Sequence, residues 1–129
     1  MTEDTTERCV LLVDDDAMNR FMMTEMLDML GYSVREAPDG TSAVRTAMDH
    51  ADEIGVILMD VHMPGLSGVD ATAQIRDLPS HPPARTPILA VTADQAWVHA
   101  GSDGEAGFSG AIAKPVDLGA LRETLSAIM

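Results

Sequence analysis

The sequence predicts an α/β domain in which a parallel sheet is wound on both faces by helices. Strand-like and helix-like segments alternate five times along the chain. Four of the strand-like runs are almost wholly apolar, as strands covered on both faces are. Right-handed crossovers then leave only a few doubly wound topologies.

The elements follow in order. Residues 1–8, MTEDTTER, read as a flexible polar leader, and 9–129 as one domain. CVLLVD (9–14) is an apolar run ending in acids, hence a buried strand. AMNRFMMTEMLDML (17–30) sets Met18, Phe21, Met22, Met26, Leu27 and Leu30 at helical spacing, with Asp16 as N-cap and Gly31 as stop. YSVREA (32–37) alternates like a half-exposed strand, and 39–50 reads as a helix with Ala43, Val44, Ala47 and Met48 inward. GVILMD (55–60) is a buried strand, followed by a loop punctuated by Pro64 and Gly65 and a helix from about Gly68 to Leu78. Four prolines make 79–87 a loop. ILAVT (88–92) is a strand, 94–104 a weak helix and GAIAK (110–114) a short strand. The terminal segment 117–129 is a helix with Leu118, Leu121, Leu125 and Ile128 on one stripe.

Composition narrows the functions. The formal charge is −13, from 21 acids against 8 Lys and Arg, which disfavours a nucleic-acid surface and suits a cation or a basic partner. A single Cys9 excludes an internal disulfide and a cysteine-rich zinc site. No apolar stretch approaches ~20 residues, the length a membrane helix needs. The leader does not resemble a signal peptide, so a cytoplasmic location is expected. Aromatic residues are only 3%, so aliphatic side chains and ten Met must fill the core.

In an open parallel sheet the site lies beyond the carboxyl ends of the strands. Those ends deliver Asp14 and Asp15, Asp60, Thr92, and Lys114 before Pro115. Acids after a strand often only cap the next helix, but here four strands send polar groups to one edge. Clustered carboxylates repel, and a hard divalent cation relieves that repulsion. A carboxylate is also a nucleophile toward phosphorus, with metal and lysine neutralising the phosphoryl oxygens.

The segments LLVDDD (11–16), LMDVHMPGLSG (58–68), AVTAD (90–94) and AKP (113–115), in this order and at these separations, span essentially the whole chain. They resemble the receiver domain of two-component response regulators, of the chemotaxis-regulator kind. The resemblance implies a flavodoxin-like fold with strand order 2-1-3-4-5. It also implies a role in signal transduction, with Asp60 as the phosphoacceptor. Mg²⁺, or Mn²⁺ in its place, would be held by Asp15, Asp60 and the backbone carbonyl of His62, with Asp14 binding through a water. Thr92 would hydrogen-bond the phosphoryl group and act as a switch, and Lys114 would pair with a phosphoryl oxygen. The Lys114–Pro115 bond would be cis. The donor would be a histidine kinase or a histidine phosphotransfer protein. An output partner would read the face made by the helix over 94–104, the strand over 110–114 and the terminal helix. Such a module transfers phosphate to itself and hydrolyses it, and it works alone or within a hybrid histidine kinase.

Ala111 departs from the family, which usually carries Tyr or Phe three residues before the lysine. Switching must then pass through Thr92 and the helix over 94–104, or through another side chain such as Trp97. His62 and Asp94, two residues after Asp60 and Thr92, would tune the lifetime of the phosphorylated state. His50, His81 and His99 have no ligand-like spacing and read as surface residues.

Two other classes fit less well. A phosphatase of the haloacid dehalogenase type also forms an aspartyl phosphate. Asp14 and Asp16 match its first pair, but Met18 replaces its Thr or Val and its late acidic pair is missing. A calcium loop starting at Asp14 finds Asp16 and Glu25 in place, but has Met18 and Asn19 where a ligand and a glycine belong.

Overall fold

The computed structural model describes residues 9–81, 86–94 and 107–128. Among them lie β1 (Cys9–Val13), α1 (Ala17–Met29), β2 (Ser33–Ala37), α2 (Gly40–Asp49) and β3 (Ile54–Asp60). α3 (Gly68–Arg76), β4 (Ile88–Thr92), β5 (Gly110–Ala113) and α4 (Leu118–Ile128) complete the order. The leader, the expected helix over 94–104 beyond its first residue, Trp97 and His99 lie outside the described residues. All strand pairs are parallel, in the order β2-β1-β3-β4-β5. The sheet is therefore the flavodoxin-like one that the sequence predicts.

Local chemistry sets the helix boundaries. The Asp16 carboxylate accepts from the N–H groups of Met18 (2.9 Å) and Asn19 (3.2 Å), opening α1. Gly31 closes the helix at φ 90, where Tyr32 N–H reaches back 3.0 Å to the Leu27 carbonyl. Asp39 caps α2 through Ser42 N–H at 2.7 Å, and that bond holds its carboxyl below the usual range. Ser67 caps α3.

Two apolar layers sandwich the sheet. α1 and α4 bury Met23, Leu27, Leu121 and Leu125 against Val10, Leu12, Val56, Leu58 and Val91. α2 and α3 bury Ala43, Ala47, Ala71 and Ile75 on the opposite face, against Leu11, Val13, Ile57, Met59 and Ala90. β1, β3 and β4 are buried at every residue. Each fully buried Leu or Ile contributes roughly 1.5–3 kcal/mol, so these strands are the rigid platform for whatever their ends carry.

Several expectations are corrected. Met18, Phe21 and Met22 do not face the sheet; each is more than half exposed, and Met23 with Leu27 forms the buried stripe. The helix carries apolar residues around much of its circumference, so spacing alone does not say which of them pack. Met48 is exposed for the same reason of phase, and Ile128 lies at the exposed end of α4. His81 is fully buried rather than on the surface. One ring nitrogen lies 2.7 Å from the Ala47 carbonyl, to which it must donate, and the other 3.0 Å from Thr86 Oγ1. Burial of the ring is possible because both nitrogens are paired.

Candidate functional site

The parallel register stacks the strand ends at one edge. Val13 pairs with Met59, so the next residues, Asp14 and Asp60, leave the sheet side by side. Asp60 pairs with Val91 and Thr92 with Ala113, which sets Lys114 one step beyond Thr92. Neighbouring strands lie about 4.8 Å apart, so these side chains must meet. Carboxylate oxygens of Asp14, Asp15 and Asp60 indeed all lie within 4.8 Å of one another. Lys114 Nζ lies 3.5 Å from Asp14 Oδ2 and 3.4 Å from Asp60 Oδ1. The Lys114–Pro115 bond is cis, as expected.

Burial differs across the cluster. Asp14 is 3% and Asp60 5% exposed, whereas Asp15 faces solvent. Desolvation pushes the Asp60 carboxyl up to about 6. Lys114 opposes that rise, while the Asp14 charge and a hydrogen bond shared with Asp15 add to it. Three carboxylates with one ammonium leave an excess of negative charge in a partly desolvated hollow. The donors are all hard oxygens, which is the set that suits Mg²⁺ or Mn²⁺. The residues present therefore fit such an ion.

Two glycines shape the loop after β3 and the start of α3. Gly65 turns at φ 75, a conformation L side chains rarely adopt. Gly68 N–H donates to the Val61 carbonyl at 3.0 Å. A Cβ at Gly68 would overlap the Asp60 carbonyl oxygen, so only glycine lets α3 start this close to the carboxylate-bearing strand end.

Thr92 is buried at the end of β4, and its hydroxyl oxygen accepts from Asp94 N–H at 3.1 Å. His62 is exposed just past β3, with Nε2 3.6 Å from Asp94 Oδ2. The two positions expected to tune the lifetime thus approach each other. Ala111 is half-buried against the layer formed by α2 and α3, where Phe108 is 2% exposed.

A cleft of about 370 Å³ opens beside the carboxylates. Asp14 and Lys114 meet Met22, Met23, Met26 and Val116 along its walls. Sequence reasoning missed its apolar side, because helical spacing groups Met22 with Met26 and Leu27 without separating a cleft wall from the core. It also missed Arg20, whose Nη1 donates to the Asp14 carbonyl at 2.8 Å.

Comparison with known proteins agrees with this geometry. The family model of the response regulator receiver domain matches residues 10–126. The sensor histidine kinase RcsC of Salmonella typhi is 32% identical over 124 residues, 96% of this chain but 12% of RcsC. The chain thus spans only a small part of the curated relatives it matches. Among solved structures, chemotaxis protein CheY4 of Vibrio cholerae superposes with a TM-score of 0.83 at 30% identity, covering 95% of this chain and 98% of that one. The receiver domain of sensor histidine kinase PA1611 from Pseudomonas aeruginosa PAO1, solved with a magnesium ion in its active-site cleft, gives 0.81 at 34% identity. That match covers 94% of this chain and 96% of the other.

Proposed function

The chain belongs to the response regulator receiver domain family, and from that premise we propose that it takes a phosphoryl group onto Asp60. The observation that carries the reading is the convergence of Asp14, Asp15, Asp60 and Lys114 from three strand ends onto one hollow.

The reaction is a displacement at phosphorus. An Asp60 carboxylate oxygen forms a P–O bond while the P–N bond of a phosphohistidine breaks, its electron pair returning to the imidazole nitrogen. Asp60 must be ionised to attack, so its raised pKa has to be brought down first. Lys114 does part of this and also faces the incoming phosphoryl oxygens. Asp15 and Asp60, with the His62 carbonyl, would hold Mg²⁺ directly, and Asp14 would hold it through a water. When bound, the cation neutralises charge on the carboxylates and on the transferring group. Thr92 hydroxyl turns from Asp94 N–H toward the phosphoryl group. His62 and Asp94, 3.6 Å apart, tune the access of hydrolytic water.

The partner is proposed to be a histidine kinase or a histidine phosphotransfer protein. Relatives that are sensor histidine kinases favour a place in a phosphorelay with such a kinase. Met22 lines the cleft, and Met18 and Phe21 are exposed on the same helix; apolar surface of this kind marks docking sites. With Ala111 in place of a ring, switching runs through Thr92. Output passes through the face of the 94–104 segment, β5 and α4, with Trp97 as a candidate relay. No helix among the described residues is long and apolar enough to cross a membrane; a cytoplasmic location is part of the proposal.

The test is incubation with acetyl phosphate followed by intact-mass measurement. Wild type gains one phosphoryl mass only with Mg²⁺, and Asp60→Asn gains none. Equal gain by Asp60→Asn would refute the assignment. Steady turnover of p-nitrophenyl phosphate would point instead to a phosphatase.

A further inference from the structure

Resting on the Mg²⁺ site just proposed, we infer that Arg20 is a positioning residue that sets the metal-binding turn through the backbone carbonyl of Asp14. The β1–β2 ladder ends at the pair Val13–Ala37. Asp14 N–H still reaches the Ala37 carbonyl at 3.2 Å, but the Asp14 carbonyl lies beyond the last register pair. Arg20, one turn into α1, supplies its donor: Nη1 at 2.8 Å. The other side of the guanidinium is braced from β2 by Glu36, with Nε 3.3 Å from Oε1. The Arg20 side chain is 19% exposed, so the bond is partly shielded from water.

That carbonyl belongs to the same peptide plane as the Asp15 N–H. Fixing the plane fixes the direction in which Asp15 leaves the chain. The flanking groups are also tied down. Asp14 Oδ1 accepts from Asp16 N–H at 2.9 Å, and the Asp16 carboxylate caps α1. Asp15, exposed and proposed as a direct metal ligand, is thereby aimed from both sides. Without Arg20 the plane is free to rotate, and the ligand set must be ordered when the cation arrives.

The sign of the effect separates this role from plain electrostatics. A cation beside an acidic hollow repels Mg²⁺, so losing its charge alone tightens binding. Losing a positioning bond weakens it. Arg20→Met keeps the apolar stem and removes both donor and charge. Arg20→Lys keeps the charge and one donor set.

The experiment is calorimetric titration with Mg²⁺ alone. Arg20→Met is expected to weaken binding about tenfold or more, and Arg20→Lys to restore most of that loss. Arg35→Ala, which breaks a similar ion pair with Glu53 away from the site, is the control and leaves Mg²⁺ affinity unchanged. Equal or tighter binding by Arg20→Met overturns the inference. If that variant fails to fold, Arg20→Gln is read by the same sign, since its amide nitrogen ends two bonds short of Nη1, the atom that donates to the Asp14 carbonyl. A wild type that binds no Mg²⁺ defeats the metal-site reading itself, a result distinct from an unaltered Arg20 variant.

Discussion

Replacing Asp60 by Asn should stabilise the metal-free protein, and only above a defined pH. Desolvation moves the Asp60 carboxyl from 3.8 to about 6. At 1.36 kcal/mol per tenfold change, that disfavours the ionised folded state by roughly 3 kcal/mol. The unfolded chain releases this proton near 3.8 and the folded chain near 6. A raised folded-state pKa means that wild-type stability is full below about 4 and falls as pH climbs toward 6 and beyond. Asn mimics the neutral carboxyl and carries no such loss. Urea unfolding in chelator from pH 4 to 8 should therefore show the two proteins level at pH 4. Asp60→Asn should be about 2–3 kcal/mol more stable at pH 7.5. Adding Mg²⁺ should close that gap, since the cation favours the ionised wild-type cluster. A difference independent of pH, or a wild type more stable than the variant at pH 8 in chelator, would refute the reasoning.

Other outcomes follow from the same geometry. Gly68→Ala forces a Cβ into the Asp60 carbonyl. It should cost roughly 1–3 kcal/mol in urea unfolding and weaken Mg²⁺ binding, while the same change at the distant, open Gly31 should leave Mg²⁺ binding alone. Arg76 donates to the carbonyls of Gly107 (2.9 Å), His81 (3.0 Å) and Thr86 (2.7 Å), tying α3 to the segments that lead into β4 and β5. Arg76→Ala leaves those carbonyls unpaired and should cost roughly 2–4 kcal/mol. It acts at the far end of the sheet from the carboxylates, so Mg²⁺ affinity of the folded variant should stay within about twofold of wild type.

The fold and the carboxylate cluster were legible because each depends on a local signal. An apolar run bounded by polar residues marks a strand, and a parallel sheet places every strand end on one edge. Asp16, Asp39 and Gly31 act where their types suggest, since capping is settled within four residues. What stayed hidden depends on distant partners. His81 is buried because Ala47, 34 positions away, offers it a carbonyl. Arg76 and Arg20 bond to carbonyls, which carry no side-chain signature. α1 is apolar around much of its circumference, and only the packed sheet reveals that Met23 points inward while Met18, Phe21 and Met22 point out.

The central claim is chemical: one carboxylate, Asp60, becomes an acyl phosphate. Borohydride reduces an acyl phosphate to the alcohol, so trapping after exposure to phosphodonor and Mg²⁺ should leave homoserine at position 60 in peptide mass spectra. Homoserine at residue 14 or 15, or none at residue 60 under Mg²⁺ saturation, would contradict the account.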